Sequence, residues 1–145
     1  MSDKIINFEI VTPERVVLKE EIRQITVPTK AGEITVLPGH IPLVSTIQPG
    51  VIHIIKKGGE QEIISISGGF IEVLKDKIVI LADTAERAEE IDLAKAEEAK
   101  KRAEELKVQA KHIDREQFTE INAAIERELA KTKAVKRWRK LKNIE

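Results

Sequence analysis

The sequence predicts an α+β protein: an N-terminal antiparallel β-sandwich followed by a C-terminal antiparallel two-helix hairpin. Every glycine and every proline lies at or before Gly69. Up to about residue 84, short stretches rich in isoleucine and valine alternate with polar residues, which is typical of strands. From residue 85 onward alanine, glutamate, lysine, arginine and leucine dominate and about half of the residues are charged, which favours long solvated helices. We therefore expect two domains, residues 1–84 and 85–145.

Eight stretches of the first domain are interpreted as strands, because each is apolar at every second position and bounded by turn-forming residues. In chain order they are KIINFEIV (4–11), RVVLKE (15–20), IRQITVP (22–28), GEITVLP (32–38), GVIHIIKK (50–57), QEIISIS (61–67), GFIEVLK (69–75) and KIVILAD (77–83). The segments KGGE (57–60) and KDK (75–77) predict hairpin turns. So many short strands indicate a small sandwich or a flattened barrel.

The second domain is predicted to begin with a helix over residues 85–111, with Thr84 as its N-cap. Its apolar stripe is narrow and mostly alanine: Ala85, Ala88, Ala96, Ala99, Ala103, Leu106 and Ala110. Asp114 is the predicted N-cap of a second helix, with a stripe of Phe118, Ile121, Ile125 and Leu129. The short connection between the helices favours a hairpin. Because alanine buries little area, at ~25 cal/mol per Å², we expect the hairpin to open or redock easily.

Composition and missing motifs exclude several classes of protein. The formal net charge is 0, so no overall field favours nucleic acid or an anionic membrane. Without cysteine, disulfides, zinc–thiolate sites and cysteine nucleophiles are excluded. The charged start and short apolar runs predict neither a signal peptide nor a spanning helix. No phosphate-binding loop, dinucleotide fingerprint, serine elbow or zinc-protease motif occurs, and His40, His53 and His112 lie in unrelated contexts. We predict no catalytic residue and no metal site.

Four segments together resemble a known family. They are NFEIVTPERVV (7–17), GEITVLPGHIPLVSTIQPG (32–50), SGGFIEV (67–73) and AERAEEIDLAKA (85–96). In this order and spacing, the chain resembles the epsilon subunits of bacterial F-type ATP synthases over nearly its whole length; the chloroplast epsilon subunit is related. The resemblance implies the same sandwich-plus-hairpin fold.

The resemblance also implies a function. It implies a non-catalytic rotor subunit of a proton-translocating ATP synthase, whose sandwich links the gamma subunit to the c-ring and whose mobile helices inhibit ATP hydrolysis. It places the chain peripherally on the cytoplasmic face of the bacterial plasma membrane, with membrane contact only through the complex.

The stretch 32–50 is the first candidate contact surface. It concentrates three prolines and three glycines among apolar residues. Prolines lower the entropy cost of ordering a loop, and apolar side chains supply area to bury. In the resembled family the sandwich meets gamma and the c-ring, so the predicted contact residues are Leu37, Pro38, His40, Ile41 and Leu43. The alternative is that they only close the end of the sandwich.

A nucleotide site is the second candidate. Family members that bind ATP in the helical domain carry an IDxxRA pattern, and this chain has IDLAKA (91–96), with Lys95 in place of arginine. By the resemblance, the predicted set is Glu86, Asp92, Lys95, Arg102, Arg127 and Lys131, the last also replacing an arginine. A lysine offers a point charge where arginine offers a planar fork. No cofactor is required; a regulatory ATP is one interpretation, and an ordinary Asp92–Lys95 pair on a solvated helix is the other.

The segment KTKAVKRWRKLKN (131–143) is basic and amphipathic, with Val135, Trp138 and Leu141 at helical spacing. In the resembled family the extended second helix enters the alpha/beta catalytic head and meets acidic segments of the beta subunits. We assign that contact to Lys136, Arg137, Arg139 and Lys140. We expect no nucleic-acid partner. The alternative function is a stand-alone nucleotide sensor or a nucleic-acid-binding protein that uses this helix.

Overall fold

The computed structural model describes residues 4–109 and 114–143, which form nine strands, one 3₁₀ turn and two helices. The strands are β1 (Ile6–Val11), β2 (Val16–Thr29), β3 (Gly32–Val36), β4 (Leu43–Ile47), β5 (Gly50–Lys56), β6 (Gln61–Ile66), β7 (Gly69–Val73), β8 (Lys77–Ala82) and β9 (Ala85–Arg87). The 3₁₀ turn Ala88–Glu90 follows, and then come the helices α1 (Leu93–Gln109) and α2 (Arg115–Leu141). The predicted fold class, a β-sandwich followed by two helices, is confirmed.

The strands form a flattened barrel with an extension. The sheet runs in the order β1-β8-β7-β4-β2-β5-β6-β9, and β1 also pairs with β2, which closes a ring of five strands. β2 reaches both layers because it is long: Ile6 of β1 pairs with its Ile22, and Ile25 pairs with Ile54 of β5. The sequence had predicted two strands here, separated at Glu21. Instead one strand with a register shift between Ile22 and Gln24 runs through both stretches.

The core lies inside the flattened barrel and consists almost entirely of β-branched residues. Alternate positions of every long strand point inward, as the period-two pattern predicts. The largest fully buried side chains are Phe8, Ile10, Ile22, Ile25, Ile47, Ile52, Ile54, Ile63, Ile64, Ile66, Ile71 and Ile78. β6 is buried along nearly its whole length, because one face lies on the core and the other lies under α2.

Both predicted hairpin turns are present. The amide of Lys56 donates to the carbonyl of Glu60, and that of Leu74 donates to the carbonyl of Lys77. Two features differ from the expectation. β1 and β8 pair in parallel, whereas the other pairs among the described residues are antiparallel. β4, which lies between Pro42 and Pro49, was not among the predicted strands.

The prediction that a helix begins at Ala85 with Thr84 as its N-cap was wrong. Ala85–Arg87 form β9, which pairs with β6, so the sheet ends at Arg87 rather than at residue 84. The helix begins at Leu93, and Asp92 is its N-cap: Asp92 Oδ1 accepts the Lys95 amide at 3.1 Å. Edge pairing to β6 outweighs the helical propensity of AER, because it satisfies the backbone and buries Ala85.

The second helix begins as predicted. The Asp114 side chain accepts the Gln117 amide at 2.8 Å, and the Gln117 side chain accepts the Asp114 amide, which completes a capping box. Ile121, Ile125 and Leu129 are half-buried, whereas Phe118 and the predicted stripe residue Leu106 of α1 are exposed. Ala96 and Ala103 are buried in α1. The predicted Ala110 and His112 lie outside the described residues.

The hairpin is folded against the sandwich through the end of α2. Ala134 packs with Val51 of β5, Ile63 of β6 and Ala88, and Trp138 and Ile91 border this cluster. α1 packs mainly on α2 and makes little contact with the sheet. One outer face of the sandwich is therefore covered by the last third of α2.

Candidate functional site

The main candidate site is a cleft of about 500 Å³ between the end of the sandwich and the helical hairpin. β9 and the 3₁₀ turn form one wall, and α1 and α2 form the others. The lining residues are Glu86, Glu90, Ile91, Asp92, Lys95, Ala96, Glu98, Ala99, Arg102, Glu128 and Lys131. The structure brings five of the six predicted nucleotide residues to this cleft. The sixth, Arg127, lies beside it, with its Nε 3.9 Å from Glu128 Oε1.

Asp92 has a structural task in the cleft. Its carboxylate caps α1, and its carbonyl accepts the Ala96 amide at 3.1 Å. This accounts for an aspartate three residues before Lys95 without any ligand, since an N-cap acceptor stabilises a helix by about 1 kcal/mol. The alternative of a side-chain Asp92–Lys95 pair is wrong in one respect: the bond goes to the backbone amide of Lys95, not to its ammonium.

Lys131 forms two ion pairs within the cleft. Its Nζ lies 3.2 Å from Glu86 Oε1 and 3.4 Å from Glu128 Oε1. The Lys131 side chain is 20% exposed and that of Glu128 only 10%, whereas Glu86 is 40% exposed. One lysine therefore joins α2 to the last strand of the sandwich and neutralises a nearly buried carboxylate.

Carboxylates outnumber cations in the cleft. Its lining includes five acidic side chains and three basic ones, Lys95, Arg102 and Lys131. Lys95 and Arg102 are exposed, on the side of α1 that faces the cleft. An anion would be held mainly by these two side chains, since Lys131 is already paired. The cleft has the size for a small ligand, but its charge balance does not favour a free polyanion.

The loop before β4 forms a second candidate surface, and its shape follows from its sequence. The His40 amide donates to the Leu37 carbonyl at 3.1 Å, with Pro38 and Gly39 between them. Gly39 has φ +84°, so this is a type II turn, in which proline is favoured at the second position and glycine at the third. Leu37 and Ile41 are 53% and 75% exposed.

The other predicted loop residues are less accessible. Leu43 packs against the core, and Pro38 and His40 are half-buried. His40 is held locally, because its Nδ1 lies 2.6 Å from the Ile41 carbonyl oxygen. Leu43 therefore helps to close the sandwich, whereas Leu37 and Ile41 point outward, and their contact with a partner stays a prediction.

An exposed apolar patch lies on the sandwich face opposite α2, and sequence reasoning missed it. Val44, Phe70 and Leu81 are 68%, 57% and 58% exposed. Phe70 pairs with Leu81 across β7 and β8, and β4 lies on the other side of β7. The signal was present in the sequence: KIVILA is apolar on both faces of its strand, although only one face can meet the core. We call Val44, Phe70 and Leu81 the outer apolar patch.

The basic end of α2 presents two faces. Trp138 and Val135 are turned inward, Val135 being buried. Of the predicted contact residues, Lys136, Arg137 and Lys140 are exposed and Arg139 is half-buried. The apolar side of this amphipathic segment is therefore packed within the chain at Val135 and Trp138, whereas Leu141 is 43% exposed and the cationic side is accessible.

Four charged residues close one end of the sandwich core: Glu20, Lys56, Glu62 and Arg87. Each continues the core-facing register of its strand. The Arg87 guanidinium donates to both oxygens of Glu62, and Lys56 Nζ lies 3.2 Å from Glu20 Oε2 and 3.5 Å from Glu62 Oε2. The Glu62 side chain is 8% exposed. This core-end cluster also reaches the 3₁₀ turn, since Arg87 Nη2 lies 2.7 Å from Glu89 Oε1.

The core-end cluster raises the pKa values of its two cations, Lys56 and Arg87. Burial by itself lowers the pKa of Lys56, but its hydrogen bond to Glu20 and the charge of Glu62 more than offset burial, so the pKa is raised above its ordinary value. The hydrogen bond to Glu62 raises the pKa of Arg87 in the same way. Charges in core register are satisfied here by one another, as buried charges must be.

Within residues 4–109 and 114–143, no group of three or more potential metal ligands comes together. His53 Nε2 contacts Gln61 Oε1 at 2.7 Å, which gives it a local partner. No helix in this part of the chain is long and apolar enough to cross a membrane.

Comparisons with known proteins agree on one family. The family model for "ATP synthase, Delta/Epsilon chain, beta-sandwich domain" matches residues 5–88. An ATP synthase epsilon chain of Chloroflexus aggregans is 51% identical over 98 residues, which cover 68% of this chain and 70% of that one. The epsilon chain of Dehalococcoides mccartyi is 42% identical over 135 residues, covering 93% of this chain and 95% of that one.

Two solved structures resemble the chain. A chain of the Euglena gracilis mitochondrial ATP synthase superposes with a TM-score of 0.74 at 27% identity, covering 88% of this chain and 79% of its own length. A chain from the central stalk and c-ring of the Tetrahymena thermophila enzyme superposes with a TM-score of 0.57 at 14% identity, covering 90% and 96%. The second likeness concerns the fold alone.

Proposed function

The chain belongs to the epsilon chains of ATP synthase, and we propose that it is a non-catalytic rotor subunit that links the gamma subunit to the c-ring. One observation carries this proposal: the sandwich has two outer faces, and the residues that the structure describes cover only one of them. The outer apolar patch and the loop residues Leu37 and Ile41 expose apolar area. Patches of this kind mark sites of protein association.

The proposal includes a location. Exposed apolar loops on a rigid sandwich are suited to pairwise docking between subunits, because little entropy is lost on binding. The similar Euglena chain was solved in an assembly that contains the c-ring. We assign this chain to the same position in its own enzyme, peripheral to the membrane on the cytoplasmic face, with membrane contact only through the complex.

The coupling role is tested by association with gamma. Replacing Phe70 and Leu81 of the outer apolar patch with glutamate should weaken binding to purified gamma at least tenfold, since two charges would be buried without partners. The matched control is Val108→Glu on α1, which is 84% exposed and far from the patch in the fold. Unchanged gamma binding by the double variant, with its sheet intact by circular dichroism, would remove this face from the proposal.

The second part of the proposal is regulation. The hairpin is held on the sandwich by a small apolar cluster, so moving between a folded and an extended form requires little free energy. In the extended form the basic end of α2 would meet acidic segments of the catalytic head and block rotation. The folded hairpin would be the permissive state.

Deletion of residues 91–145 tests the inhibitory role. The deletion begins immediately after the 3₁₀ turn, so β9 and the core-end cluster remain. The reconstituted complex should hydrolyse ATP severalfold faster, while proton pumping per ATP is retained through the sandwich. Hydrolysis at the rate of the complete complex would show that the helices do not inhibit.

A regulatory ATP remains a separate proposal, supported by five of the predicted residues lining one cleft. Lys95 and Arg102 would bind the phosphates, and a Lys95→Arg substitution should tighten binding by restoring a bidentate fork. Calorimetric titration of the chain with ATP and magnesium, beside this variant, gives the answer. No heat from either protein would mean that the hairpin is regulated by subunit contacts alone.

A further inference from the structure

The cleft contains a link that needs no ligand. Lys131 of α2 pairs with Glu86 of β9 at 3.2 Å and with Glu128, one turn back on α2, at 3.4 Å. The pair with Glu86 joins the helical hairpin to the sandwich, because Lys131 lies on α2 and Glu86 lies on β9. The two residues of this ion pair must separate when the hairpin undocks from the sandwich.

The apolar contact at this junction is small, which gives the ion pair weight. It comprises Val51, Ile63, Ala88 and Ala134, bordered by Ile91 and Trp138. Two of the four buried residues of this cluster are alanines. They bury little apolar area and therefore add little stability, at ~25 cal/mol per Å². A docked state with so little apolar area is sensitive to a single electrostatic contact.

Glu128 makes the contact asymmetric. Its side chain is 10% exposed, and its partners are Lys131 and, at 3.9 Å, Arg127. If Lys131 is removed, the Glu128 carboxylate stays nearly buried with one distant cation, which destabilises the docked form more than the loss of an exposed pair would. In the undocked form both carboxylates are solvated and this penalty disappears.

We propose that Lys131 is a latch: its pairs with Glu86 and Glu128 hold the helical hairpin on the sandwich in the absence of nucleotide. The inference rests on the proposed mobility of the helices and concerns its regulation. The two carboxylates already neutralise the Lys131 ammonium, so the folded form needs no anion at this place. Nucleotide would add to the latch only through Lys95 and Arg102.

Trp138 reports on the latch directly. It is the chain's only tryptophan, and the sequence contains no tyrosine. In the folded form it borders the Val51–Ile63 cluster, so undocking exposes it, shifts its emission to the red and increases its quenching by acrylamide. The fluorescence of Trp138 therefore measures docking in the full chain without any added label.

The experiment compares Lys131→Met with Lys133→Met. Lys133 is exposed on the same helix, so both variants lose one charge and gain the same side chain. We expect Lys131→Met to shift the docking equilibrium about tenfold toward the undocked form, and Lys133→Met to match the wild type. A second substitution, Glu128→Gln in the Lys131→Met background, should recover most of the docking, because the buried charge is gone.

Salt provides an independent readout. At about 1 M salt the Debye length is roughly 3 Å, so the Lys131–Glu86 pair, whose glutamate side chain is 40% exposed, is weakened, whereas the nearly buried Lys131–Glu128 pair is screened less. Acrylamide quenching of wild-type Trp138 should rise with NaCl, whereas quenching in Lys131→Met should not. Equal quenching of Lys131→Met and wild type, with methyl spectra showing an intact core, would overturn the latch.

The latch and the inhibitory role can fail separately. Undocking by Lys131→Met in the isolated chain supports the latch whatever the complete enzyme does. If that variant undocks yet hydrolysis by the reconstituted complex is unchanged, the latch stands and the inhibitory role is rejected.

Discussion

At the scale of single residues, Gly69 shows how strictly one position is fixed. It begins β7 with φ +147°, and a Cβ placed there would lie 2.1 Å from the Leu81 carbonyl oxygen of β8. Neither strand can move away, because β7 and β8 are paired along their whole length and both contribute to the core.

Gly69→Ala should therefore lower the free energy of unfolding by about 3 kcal/mol or more, through overpacking and an unfavourable φ. Chemical denaturation measures the change. Gly58→Ala is the matched control, because nothing lies within 4 Å of its added Cβ and its φ is ordinary. A loss below about 1 kcal/mol at Gly69 would mean that the strands can separate locally.

The raised pKa of Lys56 predicts that the protein loses stability at alkaline pH. Its folded pKa is raised, so its contribution to stability is complete below the unfolded value of 10.5 and is lost as pH rises through the higher folded value. Denaturation curves between pH 9 and pH 12 should show a decline that is shallower in Lys56→Met. Parallel declines in both proteins would assign the alkaline loss to other groups.

The capping residues show what single-residue reasoning can and cannot reach. Asp114 was predicted from its type and position alone, since its partner Gln117 is three residues away. Thr84 had an equally suitable type, but its hydroxyl and amide bond to Ser67 instead. Whether a polar residue caps a helix or serves the sheet depends on long-range neighbours that propensity does not contain.

At the scale of elements, β9 sets the end of the sandwich. Its sequence, AER, favours a helix, and only the open edge of β6 makes it a strand. Arg87 then supplies the counter-charge for Glu62, whose side chain is 8% exposed. A prediction from local composition could not find this element, because the decisive partner lies about 20 residues earlier in the chain.

Two truncated chains test that boundary. A chain ending at residue 84 leaves Glu62 without Arg87 and should be less stable by about 3 kcal/mol than a chain ending at residue 90. Urea denaturation compares them, and both lack α2, so the exposed face of β5 and β6 is common to both. Adding Glu62→Gln to the shorter chain should restore part of the difference. Equal midpoints would place the end of the stable unit before β9.

The helices illustrate a second limit of pattern reasoning. Their number, their antiparallel pairing and the alanine seam at Ala96 and Ala103 could be predicted. The docking of α2 on the sandwich could not be predicted, because it depends on the packing of Ala134 and Trp138 against Val51 and Ile63, which are distant in the sequence. The same reasoning explains the nucleotide set: the resemblance grouped Glu86 with Lys131, and the fold joins them as an ion pair.

At the scale of the whole molecule, the basic end of α2 has an apolar face and a cationic face that differ in accessibility. Val135 and Trp138 of the apolar face pack within the folded form, while Lys136, Arg137 and Lys140 remain accessible. Long-range attraction to an acidic partner can therefore act before the hairpin opens, and apolar contacts can form only afterwards.

Replacing Lys136, Arg137, Arg139 and Lys140 with alanine should release most of the proposed inhibition of ATP hydrolysis in the reconstituted complex. The control removes four exposed lysines of the sandwich, Lys19, Lys30, Lys75 and Lys77, and should leave inhibition in place. Steady-state hydrolysis at several salt concentrations is the measurement. Full inhibition by the alanine variant would place the blocking contact elsewhere on the helices.

The position of the covering segment in the chain has a consequence for biosynthesis. Val51 and Ile63 belong to strands that are synthesised well before Ala134 and Trp138 of α2. At about 5–20 residues per second, roughly 50 residues separate the finished sheet from its cover by several seconds. During that interval the nascent sandwich exposes this apolar face to solvent, so the ribosome-bound chain should be a better chaperone client than the released protein.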